Sequence, residues 1–443
     1  VSENVSTHNL ASDAGVPPTE HNHPDAPIDP AQQVVVRSWK APIAFAIFAV
    51  ASVLLFIVFG RDGDTTFRLS TDSDVIQLPQ AVLPTRGTGI VLSIVLVALA
   101  LLSFYLVASA RKVRLWYSAI FAVLFLVAFL TWAAAGQTLP VPGLLIGTVG
   151  LSVPLVFGAL GGVISERVGV VNVAIEGQLL GGAFVSAVIA SVVGNPYVGL
   201  IGAIIAGMLV SFVLAAFSIK YWVDQVIVGV VLNVLVTGLT SFLYSTVLTE
   251  DAPLLNSPPR FDVIEIPLLS QIPIIGPTLF RQTIIVYLVY IAVAAVYIGL
   301  FHTKWGLRLR AVGEHPQAAD TVGIKVNTTR FWNVALAGAI AGLGGAYFTL
   351  GSVGSFQKEM TAGMGYIALA AVIFGRWDPI RATLAALLFG FATNLQYVLG
   401  VIGSPVPSEF MLMLPYVVTI VAVAGLVGRV RGPAASGIPY ASR

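Results

Sequence analysis

Apolar residues in this chain come in long unbroken runs, each closed by a short segment of polar, glycine or proline residues. Runs at 41–59, 89–109, 115–134, 143–163, 171–193, 197–218, 226–247, 282–301, 331–350, 380–400 and 409–428 are each near the ~20 residues that a helix needs to cross a bilayer. A further run, 361–375, is long enough only for a half-length helix. A membrane β-barrel would show alternating segments of about 10 residues instead. The pattern predicts an all-α polytopic membrane protein.

Composition agrees. The chain is 57% hydrophobic and 10% charged, against roughly 25% charge in soluble domains. A formal charge of +2 with no basic–aromatic patch argues against nucleic acid as a partner, leaving membrane lipid as the surroundings. The absence of cysteine removes disulfides, thiolate metal sites and Cys nucleophiles. Residues 1–36 are polar and proline-bearing, and read as a disordered tail without the apolar core of a signal peptide. His21 and His23 in that tail are too sparse a set to define a metal site.

Basic residues set the expected sidedness. With the first residues inside and twelve crossings, the 361–375 run included, only Arg61, Arg68, Arg86, Arg260, Arg281 and Lys358 of the 23 Lys and Arg fall outside. Both termini are therefore expected in the cytoplasm. Two loops stand out. Residues 248–281 form a long, proline-rich external segment, and 302–330 form the longest internal loop between crossings. A short helix is expected from Gln317 to Gly323, entered after Pro316. Basic residues, a helix and glycines together favour a docking element over a tether.

The stretch "GVVNVAIEGQLLGGAF" (Gly169–Phe184) puts Asn172, Glu176 and Gln178 inside an apolar run. A charged side chain at a helix centre costs roughly 3 kcal/mol on insertion scales. Irregular backbone at membrane depth survives only where protein or a water-filled cavity satisfies it. These three side chains therefore either tie a broken helix together, touch a partner subunit, or contact a substrate. Asn233, Asn394 and Gln396 are other polar residues at depth, and Phe356, Tyr366 and Tyr397 could stack on a planar ligand. Segments 157–186 and 338–375 each run from an Ala/Gly-rich helix end ("GALGGV", "AGLGGA") through a polar break into a second apolar helix. The charge pattern starts them on opposite sides, as in an inverted-topology repeat whose breaks meet on the substrate path.

No P-loop, H-E-x-x-H or G-x-S-x-G motif occurs, so neither ATP binding, metal binding nor catalysis is expected of this chain. Carboxylates near the membrane interior are limited to Glu176 and the borderline Glu166 and Asp224. A stand-alone carrier coupled to protons or ions usually keeps more such groups. The chain reads as a passive path driven by something else.

"GALGGVISERVGVVNVAIEGQLLGGAF" (157–184 region) resembles the signature of permease subunits of bacterial ABC importers for nucleosides and simple sugars, in the wider group of ribose and branched-chain amino-acid permeases. "KWGLRLRAVGEHPQAADTVGIKV" (Lys304–Val326) resembles their coupling loop, and Gly354–Gln396 and Leu414–Tyr440 are similar to their second signature and final segment. The resemblance implies a type II ABC importer permease with an inverted-repeat core over 143–431. Three extra transmembrane helices would occupy 37–142, and a cytoplasmic tail 432–443. It further implies a bacterial plasma membrane location and a second related permease chain. ABC ATPase subunits carrying ATP and Mg, and an external substrate-binding lipoprotein, complete the implied complex. Asn172, Glu176, Gln178, Asn233, Phe356, Tyr366 and Asn394 would flank the path. Arg310, Glu314, Pro316, Ala318, Ala319, Asp320 and Gly323 would belong to the ATPase coupling loop. "GVVNVAIEG" is closer to the nucleoside branch than to the ribose-like sugar branch, which remains the alternative.

Overall fold

The computed structural model describes residues 39–404 apart from 73, 75 and 112, together with 406, 407, 409, 410, 413 and 432–441. Among them, ten helices are long and apolar enough to cross a membrane. They are α1 (Lys40–Val58), α2 (Thr85–Ala108), α3 (Leu115–Ala133), α4 (Val141–Arg167), α5 (Ile175–Val193), α6 (Pro196–Lys220) and α7 (Gln225–Leu248). Two short helices, α8 (Ala252–Leu255) and α9 (Ile275–Leu279), precede α10 (Ile284–His302). Then come α11 (Lys304–Glu314), α12 (Pro316–Thr321), α13 (Val326–Val353), the half-length α14 (Met364–Phe374) and α15 (Pro379–Val401). The polar tail 1–36 and nearly all of the 409–428 run lie outside the described residues.

Helix ends follow local chemistry. Asp224 Oδ1 accepts from the N–H groups of Val226 (2.9 Å) and Ile227 (3.0 Å) to open α7. Asn195 and Asp378 cap α6 and α15, each followed by proline at the first helical position. α5 ends at Gly194, whose φ is +69°.

Three departures from the expectations concern whole elements. α5 begins at Ile175, because 168–174 is irregular and held by side chains from elsewhere. The 302–330 loop holds two helices, the first of which is a full α11 capped by the Thr303 hydroxyl at Gly306 N–H. Small sheets also interrupt the all-helical picture. β1 (Asp64–Arg68) lies between β2 (Ala81–Pro84) and β3 (Thr138–Pro140), and β4 (Val263–Glu265) pairs with β5 (Arg281–Thr283). These pairings satisfy loop backbone at one end of the bundle. Arg281 Nη1 lies 3.9 Å from Asp74 Oδ1, joining the 60–84 loop to the 248–281 loop, two segments the charge pattern places on the same side.

The main core packs α4, α5, α6, α13, α14 and α15 around Phe157, Leu160, Ile175, Leu179 and Phe389. α1–α3 have a core of their own, with Phe45, Leu96, Tyr117 and Phe121. They meet the rest through Phe56, Trp132, Leu139, Leu144 and Leu399 at the sheet end. α6 and α13 cross almost backbone to backbone at Gly207 and Gly338, where a Cβ on either would collide with the other's carbonyl oxygen. Small residues at such a crossing let helices in lipid gain close van der Waals contact.

That crossing makes a prediction. Gly207→Leu forces extra volume into a filled contact, which typically costs about 1–3 kcal/mol or more. Detergent-solubilised protein should then lose its monodisperse peak at a lower temperature than wild type, whereas an unshifted midpoint would mean the helices separate freely there.

Candidate functional site

The two backbone breaks, 168–174 and 354–363, meet inside the bundle, and a single carboxylate joins them. Glu176 lies in the first turn of α5. Its Oε1 accepts from the Thr361 hydroxyl at 2.6 Å and from Gly363 N–H at 2.8 Å, and its Oε2 accepts from Gly365 N–H at 2.6 Å. The Gly363 and Gly365 donors belong to the opening turn of α14, which has no carbonyl partners for them within its own helix. The carboxylate thus sits at the positive N-terminal ends of two helices at once. Hydrogen bonds to a charged group contribute about 1.5–3 kcal/mol each. Three of them more than offset the roughly 3 kcal/mol cost of placing the charge at depth. Only glycine fits at 365, because a Cβ there would collide with the Glu176 backbone.

α7, with Ser165 of α4, supplies further partners to the first break. Gln225 Oε1 accepts from Val171 N–H at 2.7 Å. Asn233 Nδ2 donates to the Val173 carbonyl at 2.8 Å and to the Tyr366 hydroxyl at 3.0 Å, while its Oδ1 accepts from Gly177 N–H at 2.8 Å. Ser165 Oγ donates to the Val170 carbonyl at 2.8 Å. The second break is tied outward by Asn256, whose side chain exchanges two hydrogen bonds with the backbone of Phe356. Gly354, Glu359, Ala362 and Gly363 in this break all have positive φ, a conformation that non-glycine residues adopt only when their surroundings impose it.

Beside these ties lies a cavity of about 460 Å³. α5 contributes Glu176 and Leu180 to its wall, and α7 contributes Asn233, Val234, Thr237 and Gly238. The second break contributes Glu359, Thr361, Ala362 and Gly363, and α14 contributes Tyr366. The volume suits a small organic ligand.

Three of the residues singled out in the sequence therefore share this cavity: Glu176, Asn233 and Tyr366. The other four lie elsewhere. Asn172 and Gln178 are fully buried and exchange two hydrogen bonds of 3.1 Å with each other, and Gln178 donates a third to Ser211 at 2.8 Å. Phe356 is fully buried edge-on against Phe184, with ring centres 5.1 Å apart. Asn394 donates to the Leu144 carbonyl at 2.6 Å, between α15 and α4. Thr237, Glu359 and Thr361 line the cavity without having been singled out. Thr237 sits one helical turn after Asn233, a spacing that could have revealed it. Glu359 and Thr361 lie in a segment whose path no periodicity describes.

The 302–330 loop forms a separate surface. Arg310 lies over the Phe301 ring at 5.2 Å. Pro316 and Ala319 are buried, whereas Ala318 faces outward beside Gln317 and Val322, the last 75% exposed. Gly323 closes α12 with φ +83°. Glu314 accepts from Ala434 N–H at 3.2 Å, and Asp320 from the Tyr440 hydroxyl at 2.8 Å. Among the described residues no group of three or more His, Cys, Asp or Glu is placed to hold a metal.

Residues 144–423 match the family described as branched-chain amino acid transport system / permease component. The chain belongs to this family. The matched region begins within α4, so α1–α3 lie outside it. The permease is 40% identical over 308 residues to the guanosine ABC transporter permease protein NupQ of Bacillus subtilis, covering 66% of this chain and 94% of the relative. It is 40% identical over 299 residues to the nucleoside ABC transporter permease protein NupC of Lactococcus lactis, covering 65% and 93%. It is 38% identical over 258 residues to the putative glucose ABC transporter permease protein TsgC13 of Haloferax volcanii, covering 57% and 77%. No solved structure matches the chain. The permease is a multi-pass membrane transport subunit and not an enzyme.

Glu176→Gln tests the tie between the breaks. An amide keeps one acceptor and turns an NH₂ group toward a backbone donor, which should cost about 1–3 kcal/mol. The thermal midpoint of the purified permease should fall accordingly, and Glu176→Ala should lower it further. An unchanged midpoint in both would mean that α14 is held by other contacts.

Proposed function

We propose that this permease is one of two membrane subunits of an ATP-driven nucleoside importer, and that the cavity between its breaks lies on the translocation path. The observation that carries this reading is the composition of the cavity wall. On a largely apolar surface it presents the Thr237 hydroxyl, the Glu359 carboxylate and the Tyr366 phenol, side chains that hydrogen-bond an uncharged polyhydroxy ligand, while Glu176, Asn233 and Thr361 are engaged with the protein itself. Tyr366, 46% exposed, offers a ring face on which a nucleobase can stack. The names of the two 40% identical relatives support the same ligand class. A glucose-like ligand is the second reading, favoured by the third relative's name and by the same hydroxyl-binding groups.

The proposed assembly follows from what this chain exposes. One wall of the cavity is α7, whose Val234 is 68% exposed and whose Gly238 has open space beside it. A second, related permease chain would close that side. α12 turns Gln317, Ala318 and Val322 outward, a short helix suited to the cleft of an ABC ATPase that binds the ATP and Mg. Both termini would be cytoplasmic in a bacterial plasma membrane, and an external binding lipoprotein would deliver the ligand at the sheet end.

Uptake of labelled guanosine and uridine into cells with and without the permease tests the ligand, with unlabelled glucose as competitor. Loss of nucleoside uptake on deletion, untouched by glucose, is the expected result, and block by glucose would move the ligand to the sugar class. Tyr366→Leu should raise the half-saturating nucleoside concentration about tenfold if stacking contributes 1–1.5 kcal/mol. For a sugar it should change little.

Docking is tested separately. Val322→Asp should leave the permease folded yet reduce ATPase binding or ligand-stimulated ATP hydrolysis in the assembled importer. Hydrolysis and binding at wild-type levels would remove α12 from the contact.

A further inference from the structure

The segment 432–441 lies across the α11–α12 surface and touches five separate parts of the permease. Gly432 packs on the Trp377 ring, in the turn between α14 and α15. Ala434 N–H donates to Glu314 Oε2 at 3.2 Å, and Ala435 N–H donates to the Gly313 carbonyl at 2.9 Å, both at the end of α11. Gly437 N–H donates to the Gly169 carbonyl at 3.2 Å, at the start of the first break. Tyr440, largely buried, donates its hydroxyl to Asp320 in α12 at 2.8 Å.

The fifth contact is Arg330 of α13, which is 1% exposed. No carboxylate forms an ion pair with it among the described residues. Its guanidinium donates instead to the carbonyls of Ile438 (2.8 Å) and Ala435 (3.5 Å). It also lies directly over Gly169, where a Cβ would come within 2.8 Å of Nη2. A buried cation is costly unless it is satisfied. Here backbone carbonyls of the 432–441 segment accept from Nη1 and Nη2, while Nε has no partner among the described residues, so removing that segment would leave the charge stranded.

We propose that residues 432–440, pinned by Arg330 and Tyr440, form a strap that makes α11, α12 and the first break move as one body. The strap's anchor on the break is Gly169. From there the break runs to Val171, held by Gln225, and to Val173, held by Asn233, whose amide also holds Tyr366 in the cavity wall. Displacement of α12 is thereby delivered to the ligand site through a continuous set of packed and hydrogen-bonded groups. Arg330 and Tyr440 are positioning residues, and the inference rests on the reading of α12 as the ATPase-docking element.

The test uses the complete importer reconstituted in lipid, with Tyr440→Phe, Arg330→Lys and Arg330→Met beside Val322→Asp. Two quantities are read on assembled complexes: amide hydrogen exchange over 169–174 and 304–321, and ligand moved per ATP hydrolysed. Tyr440→Phe should speed exchange on the order of fivefold, the equivalent of one lost hydrogen bond, and lower ligand moved per ATP. Arg330→Met should have the larger effect, and Arg330→Lys, which keeps the charge, should lie between it and wild type. Wild-type exchange, or wild-type transport per ATP, in both Tyr440→Phe and Arg330→Met would overturn the strap. If those variants behave as wild type while Val322→Asp uncouples, the docking reading stands and the strap falls. If they loosen the break and lower transport per ATP while Val322→Asp does nothing, the strap stands and docking lies elsewhere.

Discussion

The carboxylate of Glu176 is the contact on which the centre of this permease depends. Two helices, α5 and α14, begin inside the bundle, and each brings unsatisfied N–H groups and a positive end to a place with little access to water. A single negative group between them answers both needs, and the three hydrogen bonds it accepts fix α14 relative to α5. Without that charge the second break would have to find other acceptors in an apolar core. The cavity exists because the breaks exist, and the breaks persist because Glu176 satisfies one of them.

α7 plays the complementary part for the first break. Gln225 and Asn233, two turns apart along one helix face, take up the orphan backbone groups of Val171, Val173 and Gly177. Asn233 then uses its remaining amide proton on Tyr366. One side chain is thus both scaffold and cavity wall, which couples the shape of the site to the path of the backbone behind it. Polar residues in these apolar spans serve structure first and offer their leftover surface to the site.

The membrane spans were legible because about 20 consecutive apolar residues have few other readings. The run at 282–301 matches Ile284–His302 almost residue for residue. The run at 331–350 falls short of Val326–Val353, because the polar opening "VNTTR" hides a helical turn that tertiary contacts stabilise. The polar stretch around Asn172 and Glu176 announced the break, since its cost demanded a reason. Which side chain faced the cavity was not legible. Asn172 and Gln178 differ from Glu176 only in partners that come from distant parts of the chain, Ser211 on α6 against Gly363 and Gly365 on α14. Phe356 and Asn394 sit away from the cavity for a related reason, as one fills a hydrophobic cluster and the other bridges two helices. α11 escaped notice because its charged residues hide an amphipathic helix, and the small sheets because their strands are only 3 to 5 residues long.

The shared carboxylate has a consequence for how such a chain can change over generations. Segments so far apart along a chain would ordinarily be free to drift independently. Here residue 176 in the first half and residues 361–365 in the second are parts of one bond set, so neither half carries a complete inheritance. A chimera that exchanges halves between paralogues must bring both members of the set from the same parent, or match them anew. Recombination inside the chain is therefore constrained by a contact that joins positions more than 180 residues apart.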